Sequence, residues 1–318
     1  MSLPKLIAIV GPTASGKTAL GIEVAKMIDG EVVSVDSRMV FKEMNVGTAK
    51  PEGDETRSEI EIGGSIHQLF GDRKAFMVEG VPHWGIDLVN PDEDYSAAQF
   101  KQYAERKIQE ILDRGRVPVL VGGTGLWLSA VIDNLDLSST PSDEKVRAEL
   151  EAKSLGELFH EYKQLDQIGA ETIDKENKRR LVRALEVTKL TGKPFSQLQT
   201  RGKPKYDVLQ IGIAVDREVL NERINERVDI MIAKELVNEV RALKQKYGTE
   251  IDAMTGIGYR QIVEFLEGHC SLKEAIEEIK KDTRAYAKRQ MTWFKRDTRI
   301  QWVEKAEQAM DLVRAFLK

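Results

Sequence analysis

Short apolar runs rich in β-branched residues recur along the chain, separated by longer stretches in which apolar positions repeat at helical spacing. KLIAIV (5–10), EVVSV (31–35), HWGIDLV (83–89), VPVLVGG (117–123), VLQIGIAV (208–215) and IQWV (300–303) read as strands. Strand alternating with helix predicts an α/β fold whose parallel sheet is covered by helices on both faces. Between the fourth and fifth runs the pattern changes. After the turn-rich DNLDLSSTPSDEK (133–145), residues 146–190 show only helical periodicity, as in Leu181, Leu185, Val187 and Leu190. The turn signals of TGKPFSQLQTRGKPKYD (191–207) return the chain to the sheet. The expected organisation is a core of residues 1–130 and 205–318, interrupted by an all-helical insertion at 131–204. Helices dominate from 217 onward, and no internal repeat is visible.

Composition narrows the chemistry. The chain has 318 residues, a net charge of −4 and one cysteine, Cys270. A lone cysteine forms no internal disulfide, and His67, His83, His160 and His269 lack zinc-site spacing. The N-terminal apolar run is too short for a signal or a membrane span, so a cytoplasmic location and no membrane association are expected. Acidic net charge argues against wholesale polyanion binding. Residues 280–299, however, hold eight Lys or Arg against two Asp, a local basic patch.

The strongest motif is GPTASGKT (11–18), which fits G-x-x-x-x-G-K-[ST] and lies between an expected strand and an amphipathic run. In such a loop the backbone N–H groups of Gly11, Pro12, Thr13, Ala14, Ser15, Gly16, Lys17 and Thr18, proline excepted, converge on an anion at a helix N-terminus. Lys17 neutralises a terminal phosphate, and Thr18 can offer its hydroxyl to Mg²⁺. The motif establishes phosphate binding but not a nucleotide. The strand VPVLVGGTG ends without the metal-binding acid expected of a phosphoryl-transfer enzyme. Asp36 and Asp87 are the acids near strand ends. Asp36 is better placed for substrate than for metal, with an N-cap as its structural alternative.

GPTASGKT (11–18), SVDSRMVFKEMNVGTAKP (34–51), DYSAAQF (94–100), VGGTGLW (121–127), GIGYRQ (256–261) and AKRQMTWFKR (287–296) together resemble the bacterial tRNA dimethylallyltransferase family. The resemblance implies a P-loop kinase-like core with a helical insertion that grips a tRNA anticodon stem-loop. It implies Mg²⁺-assisted transfer of a dimethylallyl group from its diphosphate to N6 of adenine 37, with no obligate protein partner. By the same resemblance Asp36 is the general base, and Thr13, Lys17 and Arg227 act on the donor diphosphate. Arg223 and Arg227 lie one helical turn apart, and Arg227 is favoured. Ser37, Arg38, Met39 and Thr124 would line the adenine pocket. Arg147, Asn177, Lys178, Arg179, Arg180 and Arg183 would contact RNA.

The chain departs from the family pattern in three places. In the stretch Arg38, Met39, Val40 and Phe41 after the Asp-Ser pair, Met39 and Phe41 stand where the family's usual Gln-Val-Tyr has an amide and a phenol. The segment 52–80 is longer than usual, and NKRR (177–180) replaces a more usual PQR. The alternative within the same chemistry is an adenylate isopentenyltransferase acting on a free nucleotide. A small-molecule kinase or an RNA-binding P-loop switch would instead place a nucleoside triphosphate in the loop.

Overall fold

The computed structural model describes residues 2–57, 59–62, 65–68, 74–137, 142–198 and 201–318. It separates into two compact units, Met1–Leu128 with Lys205–Lys318, and Ser129–Pro204. In the first unit the strands are β1 (Lys5–Val10), β2 (Glu31–Val35), β3 (Asp54–Arg57), β4 (Glu59–Ile62), β5 (Ser65–Gln68), β6 (Lys74–Val78), β7 (Val81–Trp84), β8 (Pro118–Gly122), β9 (Asp207–Ile213) and β10 (Gln301–Val303). Among the described residues, eight form one sheet in the order β10-β9-β1-β8-β2-β7-β6-β3, and β4 pairs with β5.

The strands from β10 to β7 are all parallel, as the alternation of strand and helix predicts. To this parallel set the structure adds an antiparallel edge, where β6 runs antiparallel to both β7 and β3. The cause is local: Glu79 and Gly80 take φ of 48° and 81°, a two-residue turn that returns the chain directly beside itself. The strand expected at 83–89 also stops at Trp84, because Gly85 (φ 85°) and Asp87 (φ 54°) break the extended run. Parts of the long 52–80 segment and of the two expected turn regions (residues 58, 63–64, 69–73, 138–141 and 199–200) lie outside the described residues.

β1 sits between β8 and β9 and is apolar throughout its length beyond Lys5, as a strand covered on both faces must be. Ile7 and Ile9 pack with Leu20 and Val24 of the helix Lys17–Ile28 and with Ala309 and Val313 of the helix Ala306–Leu317. Because β1, β2, β8 and β9 are parallel, their carboxyl ends share one edge of the sheet. Loops 11–18, 36–51 and 123–124 leave from that edge, the usual seat of function in open α/β sheets.

The second unit is helical: Glu144–Glu151, Leu155–Leu165, Gln167–Thr172, Lys178–Thr191 and Phe195–Leu198. Leu150, Leu158, Tyr162, Leu181, Val182 and Leu185 form its core. Ser154 and Glu157 make a reciprocal capping box at the second helix, and Gly192 at φ 67° ends the helix Lys178–Thr191. Buried Asp166 ties two further segments together by accepting from Tyr162 Oη, the Gly169 amide, and both the amide and the hydroxyl of Ser196.

Candidate active site

β1 runs into the loop 11–18 with little freedom. A Cβ on Gly11 would lie 2.7 Å from Ser15 Oγ, and Gly16 enters the following helix at φ 91°. Ala14 is left-handed at φ 62°, a conformation that costs an L-residue about 1–2 kcal/mol. Hydrogen bonds hold it there. Ser15 N–H donates to Pro12 O at 3.3 Å, Lys17 Nζ donates to the same carbonyl at 3.1 Å, and Thr13 N–H donates to Gln290 Oε1 at 2.8 Å. Gln290, on the helix Leu272–Phe294, also donates from Nε2 to Gly123 O at 2.9 Å. A Cβ on Gly123 would sit 2.2 Å from that nitrogen, so this close approach requires glycine.

Arg227, on the helix Arg217–Ala233, donates from Nη1 to the Thr13 hydroxyl at 3.3 Å. Arg223 is exposed and does not line the cavity described below. Ala14 packs with Leu220, Ile224 and Ala287, so both helices that serve the loop also support it from below.

Asp36 follows β2 directly. Its Oδ1 accepts from Arg38 N–H at 2.9 Å and Met39 N–H at 3.4 Å, which folds residues 37–40 into a turn. This turn engages Oδ1 of the carboxylate. Ser37 N–H donates to Thr124 Oγ1 at 3.1 Å, and Thr124 N–H donates to Val35 O at 3.2 Å, joining the ends of β2 and β8. Arg38 turns its guanidinium to Asp252 O (3.0 Å) and Thr255 Oγ1 (3.3 Å).

These elements enclose a cavity of about 300 Å³. Thr13, Lys17, Thr18, Arg227 and Asp36 line it, together with apolar Val32, Ile86, Val121 and Met39. Two cations, loop amides and one carboxylate thus share a chamber with a hydrocarbon lining. Burial pushes Lys17 down to about 8, Arg227 adds to that effect and Asp36 opposes it. Burial likewise lowers Arg227, again opposed by Asp36. Tyr286, also on the cavity wall, is pushed up to about 12, first by burial and then by the Asp36 charge, so it stays a neutral phenol. Among the described residues no cluster of three or more His, Cys, Asp or Glu could hold a metal ion. The Thr18 hydroxyl on the cavity wall suits a cation that arrives with an anionic substrate and keeps several waters.

The structure thus gathers Gly16, Thr13, Ala14, Lys17, Thr18, Asp36, Met39 and Arg227 around one chamber, with Ser37 and Thr124 bonded to each other beside it. In the helical unit, Asn177 caps the helix Lys178–Thr191 by accepting from Arg180 N–H at 3.1 Å. Lys178, Arg179 and Arg180 are exposed on its first turn. Arg147 and Arg183 both donate to Glu186 Oε2, at 3.1 and 2.6 Å, and Glu186 is fully buried. Sequence reading missed Gln290 and Tyr286 as parts of the site. Their four-residue spacing within a basic helical block was the available signal, but it does not say which stripe faces the phosphate loop.

The chain matches a family model described as IPP transferase over residues 39–297 and one described as isopentenyl transferase over residues 4–62. The tRNA dimethylallyltransferase of Carboxydothermus hydrogenoformans is 45% identical over 97% of this chain and 94% of its own. That of Acetivibrio thermocellus is 42% identical over 96% and 93%. The full-length tRNA isopentenylpyrophosphate transferase of Bacillus halodurans superposes with a TM-score of 0.69 at 36% identity, covering 98% of this chain and 96% of the other. A eukaryotic dimethylallyltransferase acting on tRNA gives a TM-score of 0.72 at 26% identity over 96% of this chain and 75% of that one.

Proposed function

Since the chain belongs to the IPP transferase family, we propose that it transfers a dimethylallyl group from dimethylallyl diphosphate to N6 of adenine 37 in tRNA, releasing diphosphate. The observation that carries this reading is the single cavity in which Thr13, Lys17 and Arg227 meet Asp36 and an apolar lining. The cations and loop amides bind the diphosphate, and Val32, Ile86, Val121 and Met39 suit a five-carbon chain.

In the transfer, N6 attacks the allylic carbon, the carbon–oxygen bond breaks with its electron pair going to diphosphate, and the N6 proton passes to Asp36. An exocyclic adenine amine has its lone pair delocalised into the ring, so a positioned base is needed, an assistance worth about 10²–10⁴ in rate. Asp36 Oδ2 is the oxygen left for this role while Oδ1 holds the turn. Arg227 and Lys17 stabilise the charge that grows on the leaving diphosphate. Thr18 and the diphosphate oxygens would hold Mg²⁺. When bound, the ion supplies further charge stabilisation to the leaving group.

Adenine within an anticodon loop must be extracted to reach such a chamber. Ser37, Arg38, Met39 and Thr124 are assigned to its reception, and the helical unit 129–204 to the anticodon stem-loop through Arg147 and the Asn177–Arg183 region. An enzyme acting on cellular tRNA is assigned to the cytoplasm. Among the described residues no helix is long and apolar enough to cross a membrane. The test is transfer of labelled donor to an isolated anticodon stem-loop and, in parallel, to AMP, with and without Mg²⁺. Label in the stem-loop alone is expected. Equal labelling of AMP replaces this reading with a free-nucleotide prenyltransferase.

A further inference from the structure

Glu239, on the helix Leu236–Tyr247, accepts four hydrogen bonds. Its Oε2 takes the N–H groups of Asn45 (2.8 Å) and Val46 (2.7 Å), while Oε1 takes the Gly47 N–H (3.0 Å) and the Tyr259 hydroxyl (2.7 Å). Three successive amides converging on one carboxylate form an anion nest whose anion is part of the protein. Hydrogen bonds to an ionised acceptor are roughly twice as strong as neutral ones. Tyr259 is buried, and the N–H groups of Gly47 and Thr48 also face its hydroxyl. A Cβ on Gly47 would lie 2.5 Å from the Tyr259 ring, so glycine is required for this packing.

The segment held in this way is strained, and it reaches the cavity. Glu43 and Ala49 are left-handed at φ 62° and 51°, although neither is glycine. Such residues persist only where their surroundings over-determine the backbone. Thr48, Ala49 and Pro51 line the cavity, whereas Glu239 and Tyr259 do not. Lys50 completes the tether by donating to Phe41 O (2.5 Å), Asn45 Oδ1 (3.1 Å) and the Asp87 carboxylate.

We propose that Glu239, with Tyr259, is a positioning residue for the transfer reaction: it clamps residues 45–51 into the shape that closes one wall of the reaction chamber, without touching either substrate. This rests on the reading of the cavity as the place of transfer. It also gives the GIGYRQ block a task at the site that its distance along the chain conceals.

The experiment compares full-length wild type, Glu239→Gln and Tyr259→Phe for transfer kinetics, thermal midpoint and peptide-level hydrogen exchange. Glu239→Gln keeps the size of the side chain but turns an NH₂ group toward N–H donors. Peptides covering 45–51 should exchange faster while those covering 5–18 are unchanged, and kcat/KM should fall about tenfold or more. Tyr259→Phe should move both readouts the same way by less. Normal kcat/KM despite faster exchange at 45–51 overturns the proposal, as does exchange that rises evenly across the core. Should Glu239→Gln not fold, Tyr259→Phe decides: reduced kcat/KM with local exchange supports the clamp, and unchanged kcat/KM overturns it. Wild type that transfers no label to the stem-loop refutes the functional reading instead, so the two failures are separable.

Discussion

Arg227 reaches the Thr13 hydroxyl from 214 positions away, at 3.3 Å, and so brings a second cation to the loop that already carries Lys17. If the pair acts as a unit on the departing diphosphate, its members are coupled. Arg227→Gln and Thr13→Val should each lower kcat/KM for the donor, and the double variant should lose less than the sum of the two free energies, by a coupling of about 0.5–3 kcal/mol. A double-mutant cycle measures this directly, and strict additivity would show that the two groups act independently.

Asp36→Asn retains the oxygen that caps the 37–40 turn but cannot accept a proton. Turnover should fall by about 10²-fold or more while donor and RNA affinities stay near wild type. Asp36→Ala should also loosen the turn, because the Arg38 and Met39 amides lose their acceptor. Single-turnover kinetics beside binding isotherms separate the two effects. An Asp36→Asn enzyme with normal turnover removes Asp36 from proton transfer.

The depressed Lys17 makes donor binding depend on pH. In the free enzyme this ammonium titrates at about 8, against an ordinary 10.5. Diphosphate favours the protonated form, so affinity should hold below about pH 8 and weaken above it, with proton uptake on binding at about pH 8.5. Calorimetry in buffers of different ionisation enthalpy reads that uptake, and Lys17→Met should abolish it. For the free protein the sign is opposite. Between about pH 8 and 10.5 the unfolded chain holds the proton longer, so this group makes the fold more stable as pH rises.

In the helical unit, two sets of cations should behave differently. Neutralising Lys178, Arg179 and Arg180 should weaken RNA binding and flatten the slope of log affinity against log salt, by about 0.7 for each phosphate of an open strand that the variant no longer neutralises. Arg147→Ala and Arg183→Ala should in addition lower the thermal midpoint, because each strips a partner from fully buried Glu186. A salt series with a thermal melt on each variant distinguishes them. An unchanged salt slope in the triple variant assigns that turn to solvent alone.

β1, β2 and β8 are legible in the sequence because a strand covered on both faces must be apolar at nearly every position, and a glycine-rich loop marks where β1 ends. Asp36 is legible because it lies directly at a strand end and Lys17 because it belongs to the glycine-rich motif, whereas Thr13 is singled out by the family resemblance. Gln290, Tyr286 and Glu239 are not legible. Their roles depend on which face of a long or distant helix meets the loop, and tertiary packing decides that. The antiparallel edge escapes notice because the Glu79–Gly80 turn needs a left-handed glutamate, which composition does not announce.

The pairing of β1 with β9 also shapes how the protein is made. Val10 and its neighbours align with Gly212 and the rest of β9, a partner that leaves the ribosome only after the whole helical unit has been synthesised. That unit is rich in short-range helix packing and can fold promptly, whereas β1, an interior strand of the finished sheet, waits with one flank open. During translation a strand that ends up inside the sheet is therefore a temporary edge. A pause or truncation near residue 204 exposes an apolar strand suited to pairing with another nascent chain.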